Sequence, residues 1–373
     1  MKIETIAIHA GNKIDDATKA VIQPIVMSTT FEREVDGTYE KGYIYSRAAN
    51  PNRHLLENVL AKLEGGVEAA AFSSGNAAGM AVFQSLNPGT HIIGPDDMYH
   101  GLRNQIKTLF VGILEFDFIN INDEAILKAH IKSNTGLIWI ETPSNPLLKV
   151  TDIKKVIAIA HQHHIKVVCD NTFATPVFQQ PLSLGADMVM HSSTKYFGGH
   201  SDLMGGALIT PKKDEWWDKI RQVQEMGGAI PSPMDCYYLV RSLKTLPYRM
   251  KGHAHNAALL TAFLQDHPNV ETVMYPGLTS HPQHQIAKDQ MLGFGAMFSF
   301  CVKGGAEEAK KVLAKLNLFT IATSLGGVES LIEHRASVEG PDTKTPQNLL
   351  RVSVGLEHID DLIEDMSSAL ASL

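Results

Sequence analysis

Between residues 51 and 210, short apolar runs alternate with stretches of helical period. Residues 52–63 place Leu55, Leu56, Val59, Leu60 and Leu63 on one helical face and stop at Gly65-Gly66. Residues 69–72 read as a strand, and 75–86, small and apolar, as a buried helix. Further strands are expected at 91–94, 136–140, 166–170, 186–190 and 205–210, with a capped helix at 151–164. Strands that alternate with helices pair in parallel, because each crossover returns the chain to the same end of the sheet. An α/β fold with an open, mainly parallel central sheet is therefore expected.

The flanks differ. Residues 1–44 lack strong periodicity and contain Gly11, Pro24 and Gly37, so they read as an extended arm suited to wrap a partner subunit. Near Pro231-Ser232-Pro233 a second, smaller α/β unit begins. It has a long helical stretch at 234–263, a strand at 295–301 and a final helix at 360–373. The expected division is an arm (1–44), a large domain (45–233) and a small C-terminal domain (234–373).

Composition excludes several classes. The chain has 373 residues, 44% of them hydrophobic, and a net charge of −7 without any basic cluster, so nucleic acid is not an expected partner. No apolar stretch reaches the length of a membrane span, and the N-terminus has no signal core. Cys169, Cys236 and Cys301 are far apart and form no disulfide or zinc pattern, which fits a cytoplasmic protein.

Two strand ends carry chemistry. The run 186–190 leads into His191-Ser192-Ser193-Thr194-Lys195-Tyr196, a lysine among hydroxyls and followed by Gly198-Gly199. A lysine there suits a Schiff base to pyridoxal phosphate, with Ser192 and Thr194 on the phosphate. One strand earlier, 166–169 ends in Asp170. That cofactor needs an anion at its pyridine nitrogen, since the protonated ring is the electron sink. A helix cap is the ordinary alternative for an isolated Asp170.

Other candidates join these. Ser73-Ser74-Gly75-Asn76-Ala77 lies between a strand and a helix, where free N–H groups favour phosphate. Tyr99 follows another strand and is placed to stack on a ring. Tyr45 and Arg47 end the arm, and the arginine fork suits a phosphate of a neighbouring subunit. Arg351 interrupts the apolar run 349–355 and calls for an anion, either a substrate α-carboxylate or an internal Asp or Glu. His161-Gln162-His163-His164 offers a competing metal reading, but it sits at a helix end without Cys or acidic ligands, so no metal is expected. Trp216-Trp217 reads as packing.

Together these segments resemble the Cys/Met-metabolism family of pyridoxal-phosphate enzymes. The motifs run in order along nearly the whole chain: Tyr45-Ser46-Arg47, Ser74-Gly75, Asp97-Met98-Tyr99, Glu141-Thr142-Pro143-Ser144-Asn145-Pro146, Asp170-Asn171-Thr172-Phe173, Ser192-Ser193-Thr194-Lys195-Tyr196, Gly199-His200-Ser201-Asp202, Tyr275-Pro276-Gly277-Leu278, Ser324-Leu325-Gly326-Gly327 and Arg351-Val352-Ser353-Val354-Gly355. The resemblance implies the aspartate-aminotransferase-like fold type I, the PLP-dependent transferase fold. It implies catalysis by Lys195, Asp170 and Tyr99. The implied cofactor contacts are Gly75, Asn76, Ser192 and Thr194, with Tyr45 and Arg47 from a neighbour. Asn145, Ser324 and Arg351 hold the substrate. A small amino acid is the implied substrate, and a homodimer with shared sites, paired into a homotetramer, the implied assembly. The implied reaction acts at Cγ of cystathionine or an activated homoserine, as in cystathionine γ-synthases and γ-lyases, with methionine γ-lyase and cystathionine β-lyase as alternatives. Three departures bear on the substrate: His100 after Tyr99, Thr323 before Ser324, and a shortened segment from Glu333 to Pro341 that carries Arg335.

Overall fold

The apolar runs become strands because they are covered on both faces. The structure, a computed structural model, describes residues 1–12, 14–339 and 343–373. Its first sheet contains β1 (Glu68–Phe72), β2 (His91–Pro95), β3 (Glu115–Ile119), β4 (Thr135–Glu141), β5 (Lys166–Asp170), β6 (Met188–His191) and β7 (Gly206–Thr210). The order is β1-β7-β6-β5-β4-β2-β3. All neighbours are parallel except β7, which runs antiparallel to β1 and β6. β4 shows why the sheet is buried: Leu137 and Trp139 enter one core, while Ile138 and Ile140 enter another on the opposite face. Burying each such side chain stabilises the fold by roughly 1.5–3 kcal/mol.

Helices flank this sheet. Pro51–Glu64 stops at Gly65, whose φ of 71° lies in the left-handed region that glycine adopts without cost. Asp152 caps Ile153–Gln162 by accepting from Lys155 N. The ends of β4, β5 and β6 are aligned, and in parallel sheets ligands gather at such carboxyl ends.

A second sheet follows, with β8 (Val270–Met274), β9 (Met297–Val302), β10 (Thr320–Ile321), β11 (Leu331–His334) and β12 (Leu349–Ser353) in the order β10-β11-β12-β9-β8. It is antiparallel except between β10 and β11.

Some local expectations change. The stretch 234–263 is two helices, Pro233–Leu243 and Leu246–Gln265. Pro247 lies in the first turn of the second helix, where its missing N–H costs nothing. The arm is not wholly extended: Ile3–His9 is a helix, because Ala7 and Ala10 find a core to join. Beyond that helix, Val21, Met27, Val35 and Tyr45 remain exposed. The arm's end is tied down by Arg53, which donates to the carbonyls of Ser46 and Ala48, each at 2.7 Å.

Candidate active site

The ends of β4, β5 and β6 open onto a cavity of about 570 Å³. Lys195 leaves β6 four residues after its last residue and points its Nζ at Ser324 Oγ, 2.8 Å away. Burial, and next the positive Arg351, lower the Lys195 ammonium to about 8. Its amine is therefore available in neutral form far below the usual lysine range. Ser324 itself holds a φ of 87°, a strained conformation for a non-glycine residue. Such strain collects at functional sites.

Two carboxylates line the same cavity. Asp170 ends β5 and Glu141 ends β4, and they are direct register partners. Both are buried. Burial raises the Asp170 carboxyl, opposed by the hydroxyl and N–H of Thr172, whose N–H lies 3.0 Å from Oδ1. Burial and then Asp170 push the Glu141 carboxyl well above the usual range. Among the described residues Asp170 makes no ion pair. Glu141 accepts from Tyr99 N at 2.8 Å and so fixes the start of the helix His100–Leu109. The Tyr99 ring lies over Gly101, where a Cβ would fall 2.5 Å from its Cε1. Burial raises the Tyr99 phenol, against Arg335 and Arg351.

The third wall is a cradle. Ser74 caps the helix Gly75–Gln84 by accepting from Ala77 N at 3.1 Å. Gly75 lies so close to Ser192 that a Cβ would fall 2.8 Å from the serine Cβ. The Ser192 N–H donates to Thr172 Oγ1 at 2.9 Å, while its hydroxyl has no protein partner among the described residues. Thr194 Oγ1 bonds Gly205, donating to O at 3.2 Å and accepting from N at 3.0 Å. Asn76 also lines the cavity.

The fourth wall is arginine. Arg351, on β12, donates from Nη1 to Asn145 Oδ1 at 3.0 Å and from Nη2 to Ser324 O at 2.9 Å. Its charge meets Glu333, the register partner on β11, whose Oε2 lies 2.8 Å from Nη2. The internal anion that the sequence left as an alternative is thus present. Burial lowers the guanidinium to about 10.

These groups fit pyridoxal phosphate. The helix N-terminus and the free Ser192 hydroxyl could hold its phosphate, the unpaired buried Asp170 its ring nitrogen, Tyr99 its ring face, and the Lys195 amine its aldehyde. A sequence profile described as "Cys/Met metabolism PLP-dependent enzyme" matches residues 4–371. The chain belongs to this family. Within Cys/Met metabolism, it is 46% identical to a cystathionine gamma-synthase of Mycobacterium leprae over 376 residues, covering 99% of this chain and 96% of that protein. It is 45% identical to a cystathionine gamma-lyase of Dictyostelium discoideum, over 99% of this chain and 97% of that one. The crystal structure of metB from Corynebacterium glutamicum superposes with a TM-score of 0.97 at 42% identity, covering 100% of this chain and 98% of that one.

Not every expected site residue joins the cavity. Arg47 donates to Glu225 O at 2.9 Å, and Tyr45 is half exposed beside it, so neither lines the cavity of its own chain. His161 pairs with Asp187 at 2.9 Å, and no group of three His, Cys, Asp or Glu among the described residues is placed to hold a metal ion. Among these residues no helix is long and apolar enough to cross a membrane. Trp217 is buried, and Trp216 Nε1 donates to Ser85 Oγ at 2.8 Å.

The structure also brings into the cavity three residues to which the sequence assigned no role. Glu141 has a signal in retrospect, because the run 136–140 ends in a carboxylate just as 166–169 does. Arg335 and His100 line the same cavity, with Arg335 Nη2 3.4 Å from His100 Nδ1. Both lie at the departures already noted. Part of the third departure, residues 340–342, lies outside the described residues.

Proposed function

We propose that this chain is a trans-sulfuration enzyme acting at Cγ of cystathionine or of an activated homoserine, with Lys195 as covalent anchor and proton carrier. The observation that carries the proposal is the Lys195 Nζ–Ser324 Oγ contact of 2.8 Å, in a cavity whose other walls present Asp170 and Arg351. Bound pyridoxal phosphate supplies an electron sink for charge developing at the substrate Cα. Asp170 holds the ring nitrogen protonated by direct charge attraction. Gly75, Asn76, Ser192 and Thr194 hold the phosphate, and Tyr99 stacks on the ring. Arg351 and Asn145 orient the substrate α-carboxylate, with Ser324 fixing both the arginine and the lysine. Lys195, whose neutral amine is made accessible by a pKa lowered to about 8, takes the Cα proton and then assists removal of one from Cβ, so that the γ-substituent can leave.

Elimination and replacement use the same groups, and the relatives named gamma-synthase and gamma-lyase support one reading for both. Tyr45 and Arg47, outside their own cavity, are placed by this reading in the phosphate cradle of a second copy. That makes the dimer the minimal active unit and a homotetramer the expected assembly. Residues 1–44 act as the arm, 45–233 as the cofactor domain and 234–373 as the small domain. The three cysteines are free and buried, which suits the cytoplasm.

A panel with cystathionine, methionine, and succinyl- or acetylhomoserine plus cysteine tests the proposal. Cleavage of cystathionine to cysteine and 2-oxobutyrate, or turnover of a homoserine ester, supports it, whereas homocysteine and pyruvate from cystathionine move the assignment to a cystathionine β-lyase. Turnover of methionine alone moves the assignment to a methionine γ-lyase, and no turnover of any refutes it.

A further inference from the structure

The cavity that holds Lys195 presents two arginines, and the proposed reaction uses only one. Arg351 is assigned to the α-carboxylate. Arg335 follows β11 directly, is 3% exposed, and lines the same cavity. Its counter-charges lie behind it. Glu333 Oε2 receives Arg335 Nη1 at 2.9 Å and Arg351 Nη2 at 2.8 Å, so one carboxylate ties the two arginines together. Glu339 Oε1 receives Arg335 Nε at 3.2 Å and Nη2 at 2.9 Å. Glu339 is itself held by the hydroxyls of Thr343 and Thr345, each at 2.6 Å. Neither glutamate lines the cavity.

This arrangement is a braced receptor. Arg335 spends Nε, Nη1 and Nη2 on these carboxylates, yet it lines the cavity beside the apolar Val338, and its Nη2 also lies 3.4 Å from Nδ1 of the cavity residue His100. Bracing from two sides removes the rotamer freedom that a long side chain otherwise loses on binding. A substrate with one carboxylate occupies Arg351 and leaves the second arginine lining a cavity with no anion to match it.

We infer that Arg335 is a specificity residue: with His100 it receives an anionic group, a carboxylate, at the end of the substrate side chain remote from the α-carbon. The inference rests on the proposed amino-acid chemistry and narrows its substrates to those with an acidic far end, succinylhomoserine before acetylhomoserine. It also gives His100 a role as the neutral neighbour that completes the anion's hydrogen-bond shell. A carboxylate in this place gains charge-assisted hydrogen bonds that a methyl group cannot make.

The test uses two unreactive amino acids of equal chain length, L-2-aminoadipate, with a carboxylate at C6, and L-norleucine, with a methyl group there. Binding to the cofactor-loaded protein is measured by calorimetry. Wild type is expected to hold aminoadipate about 10–100-fold more tightly than norleucine, the worth of hydrogen bonds to a charged group. Arg335→Gln should erase that preference while leaving norleucine affinity unchanged, and Arg335→Lys should restore part of it. Equal weakening of both ligands would reduce Arg335 to a brace and overturn the inference, as would a preference that survives in Arg335→Gln. If Arg335→Gln does not fold, the wild-type comparison still decides, since no preference for aminoadipate refutes the assignment. Binding needs no turnover, so a failed sulfur-substrate panel would sink the proposed reaction and leave this result readable.

Discussion

Adding one methyl group at Gly75 tests the phosphate cradle more cleanly than deleting a contact. Gly75 opens the helix Gly75–Gln84, where alanine would gain at most the roughly 0.5–1 kcal/mol that it gains over glycine in a helix interior. Here the new Cβ would lie 2.8 Å from Ser192 Cβ, 2.9 Å from its Oγ and 3.1 Å from its Cα. Carbon atoms rest at about 3.5–4.0 Å, so Ser192 would have to retreat by roughly 0.7 Å. It has little freedom to do so, because its N–H is held by Thr172 and it follows β6 directly. Overpacking of this kind costs about 1–3 kcal/mol. The displacement separates the helix N-terminus from the strand end that together form the cradle. Gly75→Ala should therefore weaken cofactor binding by about 10–100-fold, at 1.4 kcal/mol per factor of ten. Protein stability should change less, because the helix gain offsets part of the clash. The assay is titration of the cofactor-free protein with pyridoxal phosphate, followed by the visible band of the bound form, alongside thermal unfolding. Adding Ser192→Gly removes the Cβ and Oγ that clash, so the two lesions should sum to less than their separate effects. Wild-type cofactor affinity in Gly75→Ala, or strictly additive losses, would refute the cradle.

Three further outcomes are expected. Since burial and Arg351 hold Lys195 at about 8, its neutral, nucleophilic form grows as pH rises through that value. Capture of pyridoxal phosphate by the cofactor-free protein should then accelerate around pH 8, and Arg351→Met should move the rise upward; a wild-type rise centred near the ordinary 10.5 would contradict the site's electrostatics. Arg351→Met also strips one of the two cations from buried Glu333, so chemical denaturation should show a loss of about 1–3 kcal/mol, partly restored by adding Glu333→Gln; unchanged stability would mean the bridge carries no weight. Finally, Arg47→Ala and Lys195→Ala subunits, each inactive alone, should regain activity when mixed, because a hybrid dimer concentrates both lesions in one site; no recovery after verified subunit exchange would exclude shared sites.

The parts of the site readable in the sequence lie on the most strongly buried strands. The runs leading to Asp170 and to Lys195 are apolar at 167–169 and 188–190 because β5 and β6 are covered on both faces, and that burial makes a polar strand end conspicuous. The edge strand β3 carries no clear apolar run, since Glu115 and Asp117 interrupt its apolar residues where water reaches them. Glu141 stood in a recognised motif, but its effect on Asp170 depends on β4 and β5 being neighbours in register, a fact of topology. The role of Arg335 was hidden for a similar reason. Its meaning depends on Glu333 reaching both it and Arg351, which lie on either side of a segment with no periodic pattern. The helix Ile3–His9 was missed because a single turn or two carries too few residues for periodicity, and its stability comes from a core supplied by distant helices.

The central claim is that Lys195, and no other lysine, anchors the cofactor. Borohydride reduction of the pyridoxal-phosphate-loaded protein makes the link permanent, and proteolysis with mass spectrometry then locates it. The expected result is a single phosphopyridoxyl group on the peptide containing Ser192-Ser193-Thr194-Lys195-Tyr196, absent from Lys195→Ala. A label on a different lysine, or a cofactor that reduction cannot fix to the chain, would contradict it.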